Sequence, residues 1–152
     1  MSIDARLTEL GLTLPAAPAP AANYVPYVQS GNLLFVSGQI SAGPDGLIRG
    51  RLGEDMDVAA GAAAARACGL ALLAQARAAA GSLDRIARVV KLTGFVASTP
   101  EFTDQPEVIN GCSNLMVEVL GERGRHARSA VGMGSLPSDV PVEIEAVIRI
   151  LD

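Results

Sequence analysis

The spacing of apolar residues changes several times along this 152-residue chain, and each spacing predicts a different kind of element. In the segment IDARLTEL the apolar residues recur every three or four positions, which predicts a short helix over residues 2–12. The prolines of LPAAPAPAA then predict an extended connector. Two strand-like segments, 24–28 and 33–40, are joined by a Ser-Gly-Asn turn and predict a β-hairpin, which a Gly/Pro loop at 43–46 follows.

Two longer segments have the pattern of helices. Residues 58–80 are nearly all Ala and Leu, with Asp57 as the N-cap and Gly81 as the terminating residue. A second helix should begin at Pro106, the favoured first position, and end at Gly121. Its apolar stripe comprises Val108, Ile109, Cys112, Leu115, Met116 and Val119. Two arginines and the weak hydrophobicity of Ala argue against a membrane span in the first helix.

Three further segments, 86–96, 127–133 and 140–151, have the pattern of strands, so the predicted order is ββαβαββ behind an N-terminal helix. The fold class is therefore α+β. Two helices can cover one face of such a sheet, and the other face must meet a partner chain or remain wet. In the last strand, Glu143 and Glu145 alternate with apolar residues and should point to the face without helices.

Composition and charge exclude several classes of protein. A hydrophobic content of 49% excludes intrinsic disorder and suggests that another subunit covers some apolar surface. Sixteen acidic against twelve basic residues, with no Trp and 3% aromatic residues, argue against a nucleic-acid partner. The N-terminal segment is not a secretory signal, so we expect a soluble cytoplasmic protein without a membrane partner.

The usual cofactor and nucleophile motifs are missing from the sequence. It has no GxxxxGK[ST], HExxH, GxSxG or strand-following GxGxxG, which argues against a bound cofactor and a His-based metal site. Cys68 and Cys112 are far apart within apolar segments and are interpreted as buried free thiols. The single histidine, His126, has no ligand set or triad near it in sequence and is interpreted as structural. Chemistry must then depend on Arg, Glu, Asn, hydroxyl groups, backbone and water.

One group of residues suits a small organic acid. Arg128 begins a predicted strand, where its guanidinium could hold a carboxylate through two parallel hydrogen bonds. Glu143 could orient a water or carry a proton. The competing structural interpretation is a salt bridge between Arg128 and Glu143 or Glu145 on neighbouring strands.

From residue 23 to 151 the sequence resembles the YjgF/RidA family of enamine/imine deaminases, which have a chorismate-mutase-like fold. Four blocks carry the resemblance: PYVQ at 26–29, SGQI at 37–40, ARS at 127–129, and LP at 136–137 running on to EIEA at 143–146. Residues 1–22 form a separate N-terminal helix and Pro-rich connector, and residues 23–152 form the family-like domain. The length and the segments around these blocks are similar to a longer subgroup of the family.

The resemblance implies a homotrimer with a site in each cleft between subunits. Arg128 would clamp the carboxylate of 2-iminopropanoate or its enamine tautomer 2-aminoacrylate, and Glu143 would lie near the attacking water. Tyr27, Ser37 and Asn110 match positions that line the cleft or support its ligand. The implied activity is a deaminase that releases 2-keto acids and ammonia without a metal or cofactor.

Two alternatives stay open. The same cleft could bind a carboxylate metabolite without turnover, or the chain could cleave RNA, an activity the family name also carries, although charge and composition argue against it. The sequence also departs from the family, since Ala130 stands where many members have a cysteine. Activities that need that thiol are therefore not expected.

Overall fold

The computed structural model describes residues 1–17 and 22–152. Part of the predicted Pro-rich connector, including Pro18 and Pro20, lies outside the described residues. The elements are α1 (Ile3–Glu9), β1 (Tyr27–Ser30), β2 (Leu33–Ile40), β3 (Ala42–Gly43), β4 (Gly46–Leu47), α2 (Val58–Ala80), β5 (Ile86–Ala97), α3 (Gln105–Leu120), β6 (Ala127–Met133) and β7 (Val142–Ile150). The predicted order is thus confirmed, with a small β3–β4 ladder added where the sequence indicated a loop.

The main sheet has five strands in the order β1-β2-β7-β5-β6. The pair β5–β6 is parallel, since α3 crosses over between the two strands, and the other pairs are antiparallel. The sheet is therefore mixed, and β1 and β6 are its two edges.

The two long helices cover one face of this sheet. The Asp57 side chain accepts from the Ala60 amide at the start of α2, and Gly81 ends that helix at φ 84°, as predicted. By length and composition alone α2 could cross a membrane, but twelve of its 23 residues are buried in the protein. The predicted apolar stripe of α3 is buried throughout, although this helix begins at Gln105 rather than Pro106.

Helices α2 and α3 approach each other closely at Gly111. A methyl group there would overlap the carbonyl oxygen of Ala62 on α2, so only a residue without a side chain fits. This contact fixes α3 over the sheet. It thereby sets the position of the polar residues on either side of Gly111, including Asn110 and Ser113.

The other face of the sheet carries no helix. Along β7 the residues alternate, and Val142, Ile144, Ala146, Ile148 and Ile150 are buried, as predicted. Glu143, Glu145 and Val147 lie between them and face away from the helices. This open face also carries Val28, Phe35 and Val131, which are 53%, 46% and 41% exposed.

The N-terminal helix α1 packs against the core. Ile3 and Leu7 are buried, and the Ile3 amide donates to Asp84 Oδ1 at 2.8 Å. Arg6 Nε donates to the Glu118 carbonyl near the end of α3 at 2.9 Å. The first strand begins at Tyr27 rather than residue 24, because Pro26 has no amide proton for a ladder.

Candidate functional site

Arg128 lies near the start of β6, the edge strand that follows α3. It is paired in register with Leu92, which is paired in turn with Ala146, so its side chain lies on the helix-covered face. There Arg128 Nη1 donates to Asn110 Oδ1 at 2.7 Å and to Ser113 Oγ at 3.2 Å, both on α3. The alternative salt bridge to Glu143 or Glu145 is not formed, because those carboxylates point to the opposite face.

The hydrogen bonds of Arg128 leave one edge of its guanidinium available. Asn110 and Ser113 both accept from Nη1. The N–H groups of Nε and Nη2 have no hydrogen-bond partner among residues 1–17 and 22–152. These two nitrogens form the planar fork that can donate to both oxygens of a carboxylate. The half-buried guanidinium is thus held on one side and presents a bidentate donor on the other.

A second hydrogen-bonded pair stands behind Ser113. Ser113 Oγ lies 2.8 Å from His126 Nε2, and His126 Nδ1 lies 2.6 Å from the Gly124 carbonyl oxygen. Burial, together with the nearby positive charge of Arg128, lowers the pKa of His126 despite its bond to Gly124. The sequence-based interpretation of His126 as an isolated structural residue missed this connection. Asn110 and Ser113 are three residues apart, which puts both on one face of α3. This spacing was the signal in the sequence that the two side chains act on the same partner.

Glu143 lies on the open face, near the start of β7. Its strand neighbours in register are Ile40 on β2 and Phe95 on β5. Its carboxylate lies over Gly38, where an added methyl group would come within 2.5 Å of Oε1. Burial raises the pKa of Glu143, and the neighbouring Glu145 charge raises it further. This half-buried carboxyl therefore keeps its proton to a higher pH than an exposed glutamate does.

Tyr27 and Ser37 lie close to one another on the β1–β2 side of the sheet. Ser37 Oγ donates to the Val25 carbonyl at 2.8 Å, and its amide donates to Pro26. Tyr27 is partly buried against the core and is paired with Val36. Ser37 thus holds the segment that precedes β1 next to β2, and Tyr27, in register with Val36 and Ala146, lies on the helix-covered face.

The five predicted site residues thus form two separate groups within one chain. Arg128 and Asn110 lie at the β6 edge on the helix-covered face. Tyr27, Ser37 and Glu143 lie with β1, β2 and β7. Four strand-to-strand steps separate β1 from β6, which corresponds to about 19 Å. A single chain therefore does not bring all five side chains around one ligand.

The two cysteines do not contribute a reactive group to either cluster. Both are fully buried and free. Burial raises the pKa of Cys112 to about 12, although the nearby Arg128 charge opposes the shift, and burial also raises the pKa of Cys68. Both thiols stay protonated at neutral pH. No group of three or more potential metal ligands occurs within the described ranges.

A depression of about 280 Å³ lies beside Arg128 and is lined by Ser113, Asn114, Val117, Arg125, His126 and Arg128. A larger one of about 430 Å³ lies at the far end of β6, between the loops around residues 49–55 and 134–140. Its charged residues have both signs, and no predicted site residue lines it. The smaller depression is the one that bears on the site, because Arg128 itself lines it, and concavity within one chain cannot display a cleft between chains.

Comparisons with known proteins agree with this fold. The family model for YjgF/chorismate mutase-like proteins, also described as candidate endoribonucleases, matches residues 4–142. The crystal structure of Agrobacterium tumefaciens protein Atu1372, of unknown function, has a TM-score of 0.90 at 54% identity and covers 98% of this chain and 94% of its own. Protein TCP17 of Trypanosoma cruzi is 51% identical over 150 residues, 97% of this chain and 94% of that protein. Escherichia coli TdcF with bound serine has a TM-score of 0.64 at 28% identity over 88% of this chain and 92% of its own.

Proposed function

Since this chain belongs to the YjgF/chorismate mutase-like family, we propose that it is a deaminase of small 2-imino and 2-enamino carboxylates. It would hydrolyse substrates of the 2-aminoacrylate type to 2-keto acids and ammonia. The observation that carries this proposal is the guanidinium of Arg128. Asn110 and Ser113 hold its Nη1, and its Nε–Nη2 edge is left for the two oxygens of a carboxylate.

The proposed active unit is a homotrimer in which each cleft takes one group of residues from each of two neighbouring subunits. Tyr27 lies on the edge strand opposite that of Arg128, and Glu143 points from the other face of the sheet, so the two groups would meet between chains. The open face that would be covered on assembly carries the exposed apolar residues Val28, Phe35 and Val131. In this arrangement Arg128 and Asn110 of one subunit face Tyr27, Ser37 and Glu143 of the next.

The chemistry proceeds in two stages. An enamine substrate first takes a proton from solvent at C3 and becomes the protonated imine, whose carboxylate Arg128 holds. Glu143 then accepts a proton from the water that attacks the carbon of the protonated C=N bond, which gives the neutral carbinolamine. The proton then passes from Glu143 to the amine nitrogen. The C–N bond breaks, ammonia leaves, and loss of the hydroxyl proton gives the 2-keto acid. The carbon of a protonated imine is already electrophilic, so positioning and proton transfer suffice.

The free energy that Arg128 contributes to transition-state binding determines how large a loss of rate the test should show. Loss of a bidentate hydrogen-bonded ion pair costs about 2–4 kcal/mol of transition-state binding, or roughly 30- to 1000-fold in rate. The experiment generates 2-aminoacrylate in situ and measures the release of ammonia and keto acid. Arg128→Ala should show that loss, whereas Arg77→Ala, which removes an exposed arginine from α2, should not. Equal rates for Arg128→Ala and wild type would exclude Arg128 from the reaction.

One observation favours a second candidate, a metabolite-binding protein without turnover. The structurally similar TdcF was crystallised with serine, an amino acid with a free carboxylate. Calorimetry with 2-ketobutyrate and serine, set beside the deaminase assay, separates the two candidates. Binding that depends on Arg128 with no release of ammonia would favour the binding protein.

A further inference from the structure

The hydrogen bonds around Ser113 have one consistent set of donors while His126 is neutral. The Gly124 carbonyl oxygen can only accept, so the 2.6 Å contact requires the His126 proton on Nδ1. Nε2 then has a lone pair and accepts from the Ser113 hydroxyl at 2.8 Å. The oxygen of Ser113 consequently presents its lone pairs to Arg128 Nη1 at 3.2 Å.

We propose that His126 is a positioning residue that acts through Ser113 on Arg128, and that its protonation is coupled to the binding of a carboxylate at Arg128. The proposal rests on the assignment of Arg128 as the carboxylate clamp in the proposed function. It extends that function to a residue outside the five predicted site residues.

The hydrogen bonds that run from His126 through Ser113 to Arg128, here called the relay, control the orientation of the guanidinium. Asn110 and Ser113 are one helical turn apart on α3, and both accept from Nη1. Without Ser113, Nη1 keeps one partner, and the guanidinium can rotate about the Asn110 contact. Without an acceptor at His126, the Ser113 hydroxyl is free to turn its proton toward Arg128, where it would oppose the cation.

The coupling follows from the charges that surround His126. The β6 strand contributes Arg128, and the preceding turn contributes Arg125, whose Nε is paired with Glu122 at 2.8 Å. Helix α3 contributes the uncharged Ser113, Asn114 and Val117. Strand β5 contributes Arg88, whose Nε donates to the Arg125 carbonyl at 3.0 Å and which also has no acidic partner among the described residues. Arg128, which bonds Ser113 directly, is the charge that disfavours the imidazolium. A bound carboxylate would cancel part of that charge and raise the pKa of His126, which lies below its ordinary value in the free protein.

Thermodynamic linkage gives the sign of the pH effect. If the carboxylate raises the pKa of His126, binding takes up protons in the pH range between the free and bound values. Affinity for the carboxylate must then rise as the pH falls through that range. Protonated His126 donates from Nε2 to Ser113 Oγ, whose second lone pair can still accept from Arg128, so the clamp keeps its position.

The sequence offers a direct readout, because His126 is the only histidine. Nitrogen-15 NMR of the imidazole should show the Nδ1–H tautomer in the free protein. Its titration should move to higher pH in Arg128→Ala and, in wild type, upon saturation with 2-ketobutyrate. A titration that is the same in wild type and Arg128→Ala would overturn the proposal, as would the Nε2–H tautomer. The tautomer and the Arg128→Ala comparison need neither turnover nor a ligand, so they are distinguishable from failure of the deaminase assay.

Substitutions test the positioning role. Ser113→Ala and His126→Leu should each raise KM for the imine by about three- to tenfold, the effect of one hydrogen bond, with a smaller change in kcat. His126→Gln keeps an acceptor near Nε2 but does not titrate. It should restore KM and abolish proton uptake, measured by calorimetry with 2-ketobutyrate in buffers of different ionisation enthalpy. Glu107→Gln, an exposed position on the same helix that does not line the depression, is the matched control and should leave KM unchanged. Equal KM values for Ser113→Ala and Glu107→Gln would contradict the relay.

Discussion

Arg128 and Glu143 extend from opposite faces of the same sheet. Arg128 is in register with Leu92 and Ala146 beneath the helices, whereas Glu143 is in register with Phe95 and Val131 on the open face. The alternation with period two along each strand puts the two side chains on different faces. In the proposed trimer, a reaction that uses both side chains would therefore combine two copies of the chain.

This arrangement predicts complementation between two inactive variants. Arg128→Ala and Glu143→Gln should each be nearly inactive, because in the proposed trimer each substitution damages every cleft. Co-expression should restore about one quarter of the wild-type deaminase rate, since random assembly gives that fraction of clefts both intact residues. If both residues acted from one subunit, the mixed trimers would contain no intact site and would stay inactive.

The geometry of the fork predicts that charge alone cannot replace Arg128. Arg128→Lys keeps the positive charge but loses the planar pair of donors and the fixed contacts with Asn110 and Ser113. Its kcat/KM should fall by at least about tenfold, corresponding to roughly 1.4 kcal/mol. Steady-state kinetics with the in situ imine measure this, and Arg77→Lys serves as the surface control. A wild-type kcat/KM for Arg128→Lys would show that only the charge matters.

The contribution of Glu143 to the free energy of unfolding should decrease as the pH rises. Its folded pKa is above the ordinary value, so the folded protein holds the proton more tightly than the unfolded chain does. Its favourable contribution is present below the unfolded pKa and is lost as the pH rises through the raised folded value. Thermal unfolding should show Glu143→Gln more stable than wild type at pH 7 to 8 and little different near pH 3.5. A Tm difference that does not depend on pH would contradict this assignment.

The open face should drive assembly. Phe35 is 46% exposed in a single chain and is surrounded in register by Val28 and Val147. Phe35→Glu would put a charge into the covered face of the proposed trimer and should yield a smaller species by light scattering. Leu47→Glu, an exposed apolar position on β4 outside the main sheet, is the control and should retain the wild-type mass. If Phe35→Glu still forms a trimer, the interface between subunits does not include Phe35.

Gly111→Ala should destabilise the protein even though Ala favours helix. The new methyl group would overlap the Ala62 carbonyl and push α3 away from α2. Overpacking of this kind costs about 1–3 kcal/mol, against a helix-propensity gain of roughly 1 kcal/mol. The net effect should appear as a lower Tm and, through Asn110 and Ser113, as a higher KM. Gly134→Ala, with open space around it, should change neither.

Local signals in the sequence determined much of the fold. Asp57 and Gly81 bound α2 as predicted, and the apolar stripe of α3 and the alternation along β7 gave the correct buried faces. These features depend on helix capping and side-chain periodicity, which act within a few residues. Counting helices also predicted an uncovered sheet face, because the width that a helix covers is a local property. The predicted ends of the strands, such as the start of β1, were less accurate than the predicted helix ends, because strand ends depend on the pairing partner.

Only the tertiary structure decided which predicted site residues are neighbours. The strand order β1-β2-β7-β5-β6 separates Arg128 from Tyr27 and Ser37, and the parallel β5–β6 pair orients Arg128 beneath α3. The connection from Arg128 through Ser113 to His126 likewise spans a helix and an edge strand. Its geometry arises from the packing of α3 at Gly111. Residue type and spacing identified the chemical groups, but their distances depend on long-range packing, which no local pattern encodes.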